Sequence, residues 1–138
     1  MQKLNKVLKV RQLAERESAQ TLAKSQAARA EAESAQEQLQ ELMAQYRSHH
    51  SEVVQDSPAR FRQFLRFYDQ LSVAVNTQEQ VVKQLSDAES VDLSAHMERY
   101  KERVALERLL SQRDQVEKYE RTRAERKAHI QRQPNSLH

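Results

Sequence analysis

The sequence predicts an all-α protein, a long antiparallel two-helix coiled-coil hairpin whose second helix is longer than its first. Three observations carry that expectation. The 138 residues include no glycine, no cysteine, no tryptophan and only two prolines. Glycine is the residue that takes positive φ without steric cost, so a chain lacking it has little to offer sheets, barrels or phosphate-cradling loops. Apolar residues make up 38% and charged residues 31% of the chain, and the abundant types are the straight-chain helix formers and alanine. Finally, apolar positions recur at alternating steps of four and three, the spacing of a coiled-coil seam.

The first helix is expected over about residues 4–54. Its seam reads Ala28, Ala32, Ala35, Leu39, Leu42, Tyr46, His49 and Val53, and upstream it continues in small side chains through Ala14, Ser18, Thr21 and Ser25. A turn is expected at about 55–58, in Gln55-Asp56-Ser57-Pro58. Proline disfavours helix in the residue before it and suits the first turn of the helix after it, with Ser57 as the N-cap. The second helix follows over about 59–132, opening with the seam Phe61, Phe64, Tyr68, Leu71, Val75, Gln78, Val82 and Leu85. Beyond Leu85 the apolar frame slips. Leu93, Met97, Tyr100 and Val104 form one short seam, while Ala105, Leu109, Val116, Tyr119 and Ile130 form another, offset by one position. Residues 86–94, rich in Ser and Asp, are the weakest helix and the expected place for a kink. Pro134 ends the helix and leaves a frayed tail over 133–138. The whole chain reads as one coiled-coil domain.

Folding the arms about residue 57 pairs positions whose numbers total about 114. Tyr46 then falls near Tyr68, Leu42 near Leu71, Leu39 near Val75 and Leu8 near Leu106, and the small seam of the first arm lies opposite Val82, Leu85, Val91, Leu93, Met97 and Tyr100. Residues from about 111 onward have no intramolecular partner, an overhang of roughly 30 Å at the rise of an α-helix. Both chain ends meet at one basic end. There Lys3, Lys6, Lys9 and Arg11 accompany the arginines of 113–132, and Leu4, Val7, Leu8, Leu109, Val116, Tyr119 and Ile130 need cover from elsewhere.

Charge refines the class. Twenty-three basic and twenty acidic residues leave a net charge of +3. They are interspersed, as in helix faces laced by pairs such as Glu79 with Lys83, Asp114 with Lys118 and Glu117 with Arg121. No apolar run is long enough for a signal peptide or a membrane span, and the lack of cysteine fits a reducing compartment, so a cytoplasmic protein is expected. No enzymatic role and no cofactor are expected. There is no glycine-rich phosphate loop, cysteine nucleophile or His-Glu-x-x-His pair, and two helices enclose no dry pocket. Adjacent His49 and His50 point to different sides of a helix, which suits a surface or seam role better than a shared metal. No nucleic-acid partner is expected either, because four acids dilute the basic end and Tyr119 is its one aromatic residue. Phe61, Phe64, Phe67 and Tyr68 cannot all face one narrow seam, which leaves packing beside the turn and docking a partner as open alternatives for this cluster.

The opening Leu4-x-x-Val7-Leu8-x-x-Arg11, then Gln38-Leu39-x-x-Leu42, then Phe64-x-x-Phe67-x-x-x-Leu71-x-x-Ala74-x-x-x-Gln78, followed by a charged tail with Tyr119 and many arginines, resembles the flagellar type III export protein FliJ family over nearly the whole chain. The resemblance implies a stalk-like general export chaperone, similar to the rotor stalk of rotary ATPases. It implies that the end bearing both termini inserts into and stimulates the hexameric export ATPase, here through Leu4, Val7, Leu8, Arg11, Val116, Tyr119, Arg121, Arg123 and Arg126. It further implies contact with the membrane export gate protein through Gln38, Leu42, Phe67, Leu71, Ala74 and Gln78. The family commonly has tyrosines where this chain has Gln45 and His49, with Tyr46 displaced by one. Export chaperones are a further expected partner. The chain alone is expected to be a monomer, cytoplasmic and held peripherally at the inner membrane through the export apparatus. A homologous stalk of a virulence-type secretion system, a generic coiled-coil scaffold and an RNA-binding hairpin are the rival readings.

Overall fold

A computed structural model describes residues 2–50 and 57–132, the side chain of Arg132 excepted. They form two helices, α1 (Gln2–Ser48) and α2 (Pro58–Arg132), which pack against each other as a two-helix hairpin with the second helix the longer. α1 begins two residues earlier than expected. Its expected last turn, most of the connecting turn and the 133–138 tail lie outside the described residues.

Local chemistry sets the inner helix ends. The Ser48 hydroxyl donates to the Gln45 carbonyl at 2.7 Å, which also receives the His49 amide at 3.3 Å. A side chain that takes a backbone acceptor in this way competes with continuation of the helix. At the start of α2 the Arg60 amide donates to Ser57 Oγ at 3.2 Å, and the Phe61 amide donates to the Ser57 carbonyl at 3.0 Å. Ser57 is therefore the N-cap, as the sequence predicts, and Pro58, expected as the last residue of the turn, is the first helical residue.

The chain divides into two units, each an antiparallel pairing of an α1 segment with an α2 segment. The core unit is Glu17–His96, and the split unit joins Met1–Arg16 with Met97–His138. Among the described residues the five that are buried, Leu22, Ala32, Phe64, Leu71 and Val75, belong to the core unit. Its α1 seam runs through Ser18, Leu22, Ser25, Arg29, Ala32, Gln36, Leu39, Met43 and Tyr46, all buried or half-buried. The expected frame shares every seventh residue with this one but errs by one at the positions between: Thr21 and Leu42 are exposed, whereas Leu22 and Met43 face α2. Small residues flank both choices, so the sequence pattern could not separate a four-three from a three-four alternation.

On α2 the expected slip after Leu85 does not occur. The steps of three and four pass straight on from Val82 and Leu85 to Glu89, Asp92 and His96, and polar partners on α1 receive them. Arg29 donates to Glu89, the Ser25 hydroxyl donates to Asp92, and Ser18 Oγ shares a 2.9 Å hydrogen bond with His96 Nδ1. Val91, Leu93, Met97 and Tyr100 consequently stay exposed rather than packing on the small residues of α1. The segment 86–94 is helical throughout, because Glu89 and Asp92 make these inter-helix bonds. Gln78 also crosses the seam, donating Nε2–H to the Ala32 carbonyl at 3.0 Å.

In the split unit the seam is mostly polar. Arg11 meets Glu102 at 2.6 Å, and Arg103 bonds both Glu15 and, at 2.9 Å, Glu107 on its own helix. Leu4, Leu8, Val104, Leu106 and Leu110 are half-buried around these pairs. The arginine pKa values reflect the arrangement. Hydrogen bonds that Arg103 donates to Glu15 and Glu107 raise its pKa, and those that Arg29 donates to Glu89 and Glu33 raise that of Arg29. The partners named in both units keep close to the expected total of about 114, so the antiparallel register is the one the sequence predicts.

Candidate functional site

The expected ring-binding residues fall into two groups within the split unit. On α1, Leu4 and Leu8 face the pairing with α2 and are half-buried, Val7 is exposed, and Arg11 is engaged by Glu102. On α2, Val116, Tyr119, Arg121, Arg123 and Arg126 all lie on the exposed stretch that follows Leu110. Val116 is 54%, Tyr119 68% and Ile130 72% exposed, high values for such large apolar side chains.

Their spacing gives this stretch a pattern. Leu109, Gln112, Val116, Tyr119, Arg123, Arg126 and Ile130 follow one another at steps of three and four, so one helix carries a second seam turned away from the first. The second seam is apolar at both ends and cationic in the middle. Two shallow concavities mark it, one along Leu109, Arg113 and Val116 and the next along Val116, Tyr119 and Arg123. Lys118 is held by Asp114 at 3.1 Å and Arg121 by Glu117 at 3.9 Å, as expected, although no bridge joins Glu79 to Lys83. Arg113, Arg123 and Arg126 pair with no carboxylate among the described residues.

The expected gate-contacting residues all belong to the core unit, but they divide between surface and seam. Gln38, Leu42 and Phe67 are exposed, Ala74 is half-buried, Leu71 is buried at 5% exposure, and Gln78 is committed to the Ala32 carbonyl. Phe67 leans on Tyr46 with ring centroids 4.7 Å apart, and Tyr46 stacks on Phe64 at 4.6 Å and 8°. Tyr46 thus faces Phe64 and Phe67, respectively one turn and one residue before the Tyr68 it was expected to meet. Sequence reasoning placed Ser18 on the seam but missed the polar residues Glu15, Arg29, Glu89, Asp92, His96 and Arg103 that continue it. The signal available for it was the unbroken three-four spacing, hidden because no apolar residue marks it.

These features define a class: a helix pair whose own seam is filled from both arms, with a second amphipathic seam left exposed. No described helix is long and apolar enough to cross a membrane. A family model, flagellar FliJ protein, matches residues 1–129, and the chain belongs to that family. It is therefore a component of flagellar protein export of the stalk type, in a family whose role is not catalytic. Neither the curated proteins nor the solved structures yield a match.

Proposed function

We propose that the chain inserts its split unit into the central opening of the hexameric export ATPase, stimulates that enzyme, and links it to the membrane export gate through the core unit. The observation that carries this reading is the second seam on α2, exposed from Leu109 to Ile130. A helix that leaves Val116, Tyr119 and Ile130 in water gains by burying them against another protein, at about 25 cal/mol per Å² of apolar surface. Arg123 and Arg126 between them add an attraction that orients without locking, since exposed charges are screened at physiological ionic strength. Gate contact rests on Gln38, Leu42 and Phe67, the surface members of the family patch. Leu71 and Gln78 support them from within the seam. Association with the inner membrane follows from these partners, and export chaperones dock on the same stalk.

The test is a steady-state ATPase assay with the purified export ATPase. The full chain raises turnover, and a chain ending at Gln112 does not while keeping its helical circular dichroism. Full stimulation by the shortened chain rejects the insertion.

A further inference from the structure

A pocket in the core unit lies outside both surfaces just described. Phe64, buried at 5% exposure, forms its floor, Leu65 and Tyr68 form one wall, and Arg47 and His50 form the other. The walls are held in place. Arg47 Nε donates to the Tyr68 hydroxyl at 2.8 Å, and its guanidinium lies 5.8 Å from the centre of the Tyr68 ring. His50 sets its ring edgewise to Phe64 at 5.3 Å and to Phe61 at 6.1 Å.

Close to this pocket in sequence, Arg62 and Arg66 stand with Asp69, and the connecting segment carries Glu52 and Asp56, so Arg47 is the cation that marks the hollow itself. No carboxylate among the described residues pairs with Arg47. A guanidinium held at the lip of a mainly apolar hollow can take a carboxylate while an apolar side chain enters beside it. A nucleic-acid strand fits less well, because Arg47 is the one guanidinium among the residues that line the hollow, whereas a strand is held by a groove of cations that tracks its backbone.

We propose that this hollow is a docking site for an acidic peptide segment of a partner protein, with one aromatic or branched aliphatic side chain seated on Phe64 and Leu65 and a neighbouring carboxylate on Arg47. The site is independent of the ATPase-ring surface and does not rest on that reading.

The probe is a fluorescein-labelled synthetic peptide, Glu-Asp-Glu-Phe-Glu-Asp, added to the full chain at low salt. Its affinity is read by anisotropy and its location by amide chemical shifts. The largest shifts are expected at Leu65 and Tyr68. Arg47→Gln and Leu65→Ser, both at exposed positions, each weaken binding about tenfold, and so does replacing the peptide's Phe by Ala. Circular dichroism of both variants confirms the fold, and Arg47→Gln decides alone if Leu65→Ser loses helix. Equal affinity for the Phe and Ala peptides, shifts centred on residues 113–130, insensitivity to Arg47→Gln, or displacement of the peptide by an equimolar oligouridine each overturns the proposal.

Discussion

Phe67 is the residue on which gate contact is most open to test. It is 42% exposed and meets the seam at Tyr46, so Phe67→Ala removes a surface ring while leaving Phe64 and Leu71 in place. The expected outcome is weaker binding to the purified cytoplasmic part of the gate protein, with ATPase stimulation unchanged; undiminished gate binding would remove the patch from the mechanism. Arg103 behaves differently, because it holds Glu15 across the seam and Glu107 along its own helix, and these hydrogen bonds raise its pKa. A cation whose pKa is higher when folded contributes its full stability below its ordinary range and loses it only as pH rises through the raised value. The arginine half of this link therefore stays charged through all mildly alkaline conditions. Arg103→Gln should lower the thermal midpoint by a few degrees and by the same amount at pH 7 and pH 9.5, as followed by circular dichroism. A deficit that shrank at the higher pH would show that the guanidinium charge is not what holds the pair.

At the scale of the elements, the seam of the core unit changes from apolar to polar along α2. Its Leu71 and Val75 end depends on burial, so Leu71→Ala should cost about 2 to 5 kcal/mol in chemical denaturation. Leu93→Ala, at a residue 47% exposed, should stay within about 0.5 kcal/mol. The apolar pattern of the sequence ranks these two leucines together, and the denaturation midpoints should separate them. The polar end contributes less stability and more register. Sliding one helix by a heptad would leave Arg29, Asp92 and His96 facing the wrong partners, and polar groups at seam positions are a known means of fixing alignment at some cost in stability.

For the whole molecule, the pairing within each unit implies that one chain supplies both helices. Cysteines placed at Ser25 and Asp92, which are hydrogen-bonded to each other, should be joined by a short bismaleimide within a single chain, and sedimentation should give the monomer mass. A predominant crosslinked dimer would mean that the arms pair between molecules. The identity of the family rests on residues spread from 1 to 129, and the same span includes both the filled seam and the exposed one. That is the arrangement a stalk requires, since rigidity comes from the seam between its own helices and recognition from faces that seam does not use.

The sequence by itself determined the helical class, the break at Ser57-Pro58, the inequality of the arms and the antiparallel register, because each follows from backbone preferences or chain arithmetic that no neighbour can override. It also carried enough of the Leu4, Gln38 and Phe64 motifs to indicate the family. What only the tertiary structure decided was which of two adjacent residues faces the partner. Leu42 and Met43, or Leu93 and Asp92, are equally helical, and hydrophobicity favours the leucine in the second pair. Asp92 wins its place because Ser25 can satisfy it across the seam. The division of the residues expected at the gate into exposed Phe67 and buried Leu71 was settled in the same way. Side-chain burial in a two-helix pair depends on what stands opposite, and a single strand of sequence holds no record of that until the arms are brought together.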